Sequence, residues 1–128
     1  MNKWVYHQRS GLLLHVTTEN PDGDRFLGGY AGCKDGKNCP EMQHVPNRGP
    51  IPRGVYRIGD PYDSPDHGPF CLRLTPDSAN EMFGRAGFLI HGDAIRDPGT
   101  ASEGCIIQPR AVRELIHASG DRMLEVVE

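Results

Sequence analysis

Gly87-Phe-Leu-Ile-His-Gly-Asp-Ala-Ile-Arg-Asp-Pro-Gly-Thr-Ala-Ser-Glu-Gly-Cys-Ile-Ile-Gln-Pro109 sets the architecture that the rest of the chain follows. It holds two short apolar runs, Phe88 to Ile90 and Ile106 to Ile107, and each touches a reactive residue. His91 ends the first run and Cys105 opens the second. The polar segment between them contains Pro98 and Gly99, so the pattern reads strand, loop, strand. That geometry predicts both strand ends at one edge of a sheet, with a thiol facing an imidazole.

A free thiol has a pKa of about 8.5 and is only a few per cent ionised at neutral pH, yet the thiolate is the nucleophile. An adjacent imidazole can accept the proton. Gly104 lets the chain turn tightly before Cys105, so that successive N–H groups can converge beside the sulfur as an oxyanion hole. One such donor is worth roughly 3 kcal/mol of barrier. The opposing interpretation makes Cys105 a small buried hydrophobe and His91 a hydrogen-bonded strand end. The Gly-Cys turn and its flanking strands favour catalysis.

Ile90-His91-Gly92 followed by Ser102-Glu103-Gly104-Cys105-Ile106 resembles the signature of the L,D-transpeptidase catalytic domain, the YkuD-like fold, in which a His-Gly pair precedes a Ser-His-Gly-Cys turn. Two departures are visible: Glu103 replaces the second His, and the spacer from His91 to Cys105 is short. Both match a subgroup of small L,D-transpeptidase-like toxins delivered by type VI secretion. Gly29-Tyr30-Ala31-Gly32, Gly49 to Gly59 and Leu72-Arg73-Leu74-Thr75-Pro76 resemble the same subgroup's frame, so the likeness covers most of the chain.

The resemblance implies a mostly-β, β-rich α+β fold, a single β-sandwich or barrel domain over 1–128 with one helix in its C-terminal half. It also implies L,D-carboxypeptidase or L,D-transpeptidase exchange chemistry on peptidoglycan stem peptides. Cys105 would be the nucleophile and His91 the base, oriented by the Gly92 carbonyl, with the Gly104 and Cys105 N–H groups as oxyanion donors. Stem peptides carry carboxylates, so Arg85 and Arg110 are candidate cations of the groove, with Arg96 a further one on the loop. Ser102 and Glu103 of the turn are the other substrate-contact candidates, Glu103 either orienting a donor or capping the turn. No cofactor or metal is expected. A toxin of this kind implies a cognate immunity protein and action in the periplasm of a target bacterium, after synthesis in the cytoplasm. Two alternatives are a different Cys-His peptidase, although papain-like and NlpC-type enzymes place Cys before His, and a non-catalytic wall-binding module.

Composition agrees with a small β-rich domain. The chain has 128 residues, 16 of them Gly and 11 Pro, which suits many turns. A net charge of -3 lacks the basic footprint of a nucleic-acid binder. No apolar run approaches the ~20 residues of a membrane helix. Met1-Asn2-Lys3-Trp4 lacks a secretory apolar region, so we expect either another export route or a signal removed upstream. Cys33 and Cys39 flank a polar turn and are the candidate disulfide pair, worth about 2 kcal/mol for so short a loop. Free thiols, or zinc held with His44, are the competing interpretations. Cys71 reads as a packed strand residue.

Periodicity supplies the remaining elements. Lys3 to His7 and Leu12 to Val16 form a hairpin, with Leu12, Leu14 and Val16 on one face and His15 outward. Arg25 to Tyr30 is a strand. Residues 32 to 52 make a long loop and a candidate groove wall. Val55 to Ile58 and Phe70 to Leu74 are strands around a turn-rich connection carrying His67. Ser78 to Phe83 is a candidate helical turn. Pro109 starts a helix over Arg110 to Ser119, with Val112, Leu115 and Ile116 at helical spacing, His117 on its surface and Gly120 as its stop. Met123 to Val127 is the last strand.

Overall fold

Large side chains recur at every second position of strand β1 (Lys3–His7), where Trp4 and Tyr6 are buried, and of β9 (Met123–Val127), where Leu124 and Val126 are buried. These two strands pair in parallel, Trp4 opposite Leu124 and Tyr6 opposite Val126, so their inward faces stack into one row. The structure, a computed structural model describing residues 2–128, builds outward from this seam. The other elements are β2 (Leu13–Val16), β3 (Asp24–Phe26), β4 (Tyr30–Ala31), β5 (Gly54–Ser64), β6 (Gly68–Pro76), β7 (Leu89–His91), β8 (Ile106–Ile107) and the helix α1 (Arg110–Ser119).

All nine strands belong to one sheet in the order β3-β2-β1-β9-β5-β6-β7-β8-β4. The β1–β9 and β7–β8 pairs are parallel and the rest antiparallel. The expected mostly-β architecture with one late helix is present. The sheet is open, with the short strands β3 and β4 at its edges, and does not close into a barrel. Leu72, Ile90, Ile106 and Ala31 face one another across β6, β7, β8 and β4, and all four are fully buried. Ile116 of α1 joins the same core, while Val112 and Phe70 pack against its edge. No helix among the described residues is long and apolar enough to cross a membrane.

Several local details differ from the periodicity reading. The expected strand from Arg25 to Tyr30 is two strands broken at 27–29. β5 runs straight through Pro61, because a bulge sets Gly59 and Asp60 against Arg73 alone and a proline is tolerated where the ladder is already interrupted. Residues 78–83 make turns without a helix, since the Asn80 side chain pairs with both the N–H and the carbonyl of Val55 and holds the segment against β5. In β2 the inward residues are Leu13 and His15, opposite Tyr6 and Trp4. His15 is therefore not solvent-facing: its ring stacks on Trp4 at 4.1 Å and its Nε2 meets Asp121 Oδ2 at 2.7 Å.

Leu124 sits between Trp4 and Tyr56 with none of its surface exposed. Leu124→Ala should therefore cost about 2–5 kcal/mol, read as a lowered urea midpoint. Leu27→Ala, at a side chain 72% exposed, should stay within about 0.5 kcal/mol in the same assay.

Candidate active site

β7 and β8 run parallel with Ile90 opposite Ile106, which puts His91 level with Ile107 and Cys105 level with Leu89. The two reactive residues therefore do not share one edge of the sheet, as the strand-loop-strand pattern predicts. They are offset by about two residues, roughly 7 Å along the strand direction. Both nevertheless open onto one cavity of about 440 Å³, whose wall also includes His67, Phe88 and Glu103. No direct hydrogen bond joins sulfur to imidazole; the gap between them is part of the cavity.

The turn before Cys105 is organised by Ser102. Its buried hydroxyl donates to the Cys105 carbonyl at 2.6 Å and accepts from Gly104 N–H at 3.0 Å and Gly32 N–H at 2.8 Å. Ser102 is thus a pin inside the turn and not a substrate contact, and Gly104 N–H points inward to it and is not an oxyanion donor. Among the described residues no acceptor takes the Cys105 N–H, which leaves it as the donor beside the sulfur. Gly104 itself has φ +145°, and a Cβ there would press on Arg85 and Phe88, so only glycine fits.

Arg85 is 9% exposed, and its two amino groups donate to four backbone carbonyls: Gln43 at 2.6 Å, Pro50 at 2.9 Å, Gly49 at 3.0 Å and Glu103 at 3.3 Å. A guanidinium so occupied cannot grip a substrate carboxylate with parallel bonds, which corrects its expected role. It fastens the 32–52 segment to the turn that carries Cys105. That segment contains two single 3₁₀ turns, Lys34–Gly36 and Pro40–Met42, and contributes Pro46 and Asn47 to the cavity wall as anticipated. The expected Cys33–Cys39 bridge is not formed. Cys33 donates to the Asn47 carbonyl and Cys39 approaches Glu41, so the loop is held by Arg85 and Ser102 and not by sulfur. Cys33, Cys39 and His44 do not converge either: among the described residues no three His, Cys, Asp or Glu side chains gather as a metal site.

Burial opposes the charged form of both Cys105 and His91. Burial pushes the Cys105 thiol up, opposed by the Leu89 N–H donated to its sulfur at 3.3 Å and by the charge of Arg85; Glu103, exposed at the cavity wall, adds to the rise. Burial likewise lowers the pKa of His91, with the charges of His67 and Arg113 acting in the same direction. Its Nδ1 hydrogen-bonds the Gly92 carbonyl at 2.8 Å, the partner that the resemblance implies. With the proton held on Nδ1, Nε2 is a bare acceptor.

His67 was not singled out in the sequence. It stands on the hairpin turn between β5 and β6, and its ring lies 4.5 Å from that of His91, tilted by 30°. Only the β6–β7 pairing reveals this, because twenty-four residues separate the two in sequence. Arg110 does not reach the Cys105 cavity. It pairs with Glu114 and rests over Phe70 on the far side of His67. Arg96 is exposed and does not line the cavity.

Arg85→Met, which keeps the stem but removes every donor, should destabilise the protein by about 3 kcal/mol or more and expose residues 43–50 to limited proteolysis. Ser102→Ala, which orphans two buried N–H groups, should cost about 1–3 kcal/mol. Arg96→Ala, by contrast, should leave the unfolding midpoint in place.

Comparison with known proteins follows the same lines. None of the curated proteins matches the chain in sequence. Among solved structures, Bd1075 of Bdellovibrio bacteriovorus superposes over 98% of this chain with a TM-score of 0.63 and 14% identity, and the chain spans 47% of that protein's length. At that identity the likeness concerns the fold. The Tlde1 domain model matches residues 25–125, a span containing the cavity, its loop wall, His91 and Cys105, and the chain therefore belongs to the Tlde1 domain family of type VI secretion effectors.

Proposed function

We propose that this protein is a cysteine acyltransferase acting on the L,D-peptide bond before the terminal D-amino acid of peptidoglycan stem peptides, as an antibacterial effector in the periplasm of a target cell. The observation that carries this reading is the shared cavity of Cys105 and His91, with His91 held by Gly92 so that its free nitrogen is a base. A neutral thiol and a neutral imidazole that face the same cavity are one proton transfer, relayed across the gap by a water or closed by substrate binding, from the attacking species.

In the proposed reaction the imidazole removes the thiol proton as sulfur attacks the scissile carbonyl. The Leu89 N–H, already on the sulfur, steadies the negative charge at the outset, and the Cys105 N–H serves the oxyanion as it forms. His91 then returns the proton to the departing amine, leaving a thioester on Cys105. Water completes a carboxypeptidase cycle; a D-amino acid completes an exchange. Either outcome removes donor stems from crosslinking, and a producer of such an effector needs an immunity protein. Phe88, packed against Arg85, lines the cavity with apolar surface that suits the stem's short aliphatic side chains.

Purified muropeptides incubated with the wild-type protein should lose a terminal D-alanine, seen by mass spectrometry, and Cys105→Ala should yield none. Cleavage at another bond would favour a different peptidase, and binding without turnover a wall-binding module. His91→Ala should lower kcat/KM by about 10²–10⁴-fold. Because burial lowers the His91 pKa from its ordinary 6.5, the acidic limb of the kcat/KM profile should have its midpoint below that value. A midpoint above 6.5 would reject His91 as the titrating base.

A further inference from the structure

His67 separates the Cys105 cavity from a second cavity of about 490 Å³, lined by Gly92, Asp93, Gln108, Pro109, Arg110 and Arg113 among others. From the second cavity's charge and its common wall with the first, we infer that it binds the α-carboxylate of an amino acid whose amine leaves from, or attacks, the carbonyl carried by Cys105. The inference rests on the acyl-transfer reading above and adds a subsite to it.

Arg113 provides the main evidence. It is 6% exposed, yet only part of its guanidinium is engaged: Nε donates to the Gln108 carbonyl at 3.1 Å, and Nη1 to the carbonyls of Pro69 and Phe70, each at 2.8 Å. No acceptor among the described residues takes Nη2, which lies so close to Gly92 that a Cβ there would come within 2.8 Å of it. With Nε and both Nη1 hydrogens taken by carbonyls, Nη2 is left as a fixed, charged donor beside Gly92, enough for a charge-assisted hydrogen bond to one carboxylate oxygen.

The helix end and Arg110 add positive charge to this wall, and Asp93 is the negative group on it. Pro109 and Arg110 bring the amino-terminal end of α1 to this cavity, and no side chain caps it, so its first N–H groups and the helix dipole favour an anion. Arg110 adds a second cation, partly offset by Glu114 in the next turn. The one carboxylate on the wall, Asp93, is already occupied by the Tyr30 hydroxyl at 2.6 Å and by the N–H groups of Ala94 and Gly99. Neither Arg110 nor Arg113 hydrogen-bonds it.

The chemistry explains why such a site should border the nucleophile. In acylation the C–N bond of the scissile peptide breaks as the C–S bond forms, and the departing nitrogen takes its proton from His91. Exchange is the reverse: an amine attacks the thioester, C–N forms, C–S breaks, and the proton passes from nitrogen through His91 to sulfur. Leaving and incoming amino acids therefore occupy the same place, by microscopic reversibility. Their carboxylates lie one carbon beyond the amine, so a site that holds them must adjoin the Cys105 cavity, and the second cavity shares His67 with it.

The test uses binding, so that it does not depend on turnover. D-alanine and D-alaninamide, which differ in the carboxylate, are titrated separately into ¹⁵N-labelled Cys105→Ala protein. D-alanine should shift the Gly92 amide and Arg113 Nε–H signals at concentrations about tenfold lower than the amide requires, and Arg110→Ala and Arg113→Lys should each shrink that preference. Equal titration by both compounds, or shifts confined elsewhere, overturns the inference, and the comparison in the Arg113-containing protein stands even if Arg113→Lys fails to fold. Mass spectrometry of the acyl-enzyme with muropeptides is read separately. A thioester without carboxylate-dependent binding removes the subsite and keeps the reaction; carboxylate-dependent binding without a thioester does the opposite.

Discussion

One guanidinium holds the cavity together. Arg85 takes carbonyls from three residues of the 32–52 segment and a fourth from the turn before Cys105, parts of the chain that no strand pairing joins directly. Burying a cation is costly unless its donors are met, and four carbonyls largely meet that demand. The bond from Ile51 N–H to the Gly104 carbonyl closes the same joint, and Ser102 closes it again through Gly32. A long loop thereby becomes a fixed wall opposite the sulfur.

Arg113 plays a similar part on the other side of His91. A second bulge in the β5–β6 hairpin sets Pro69 and Phe70 against Asp63 and leaves Phe70 at φ +56°, an unfavourable conformation for an aromatic residue. The two carbonyls displaced by that bulge are the ones Arg113 binds. Hairpin, helix and the β8 strand end are fastened at one point, and His67 at the hairpin tip is thereby placed over His91. The two buried arginines sit on either side of the reactive pair, each raising the cost of a positive imidazole or lowering that of a negative sulfur.

Much of this was legible in the residues, and the pattern of success is physical. Strong local signals were accurate: β1, β7, β8, α1 and β9 lie where periodicity, Pro109 and Gly120 place them. So was the Gly92 carbonyl on His91, implied by family likeness and present at 2.8 Å. The misses depend on distant partners. Which face of β2 is inward depends on Trp4, whether Pro61 ends a strand depends on a bulge across from Arg73, and whether an arginine is free depends on carbonyls some forty residues away. Arg85, Ser102 and Gly104 all lie around Cys105 with their donors turned into the protein, and a turn reads the same in sequence whether its donors point outward or inward. His67 and Arg113 carry no local signature at all.

Fastening by arginine and serine has one more effect. Cys33 and Cys39 remain thiols while the wall they belong to is ordered. The contacts that shape it run through a guanidinium and a hydroxyl, groups that neither gain nor lose electrons as redox conditions change.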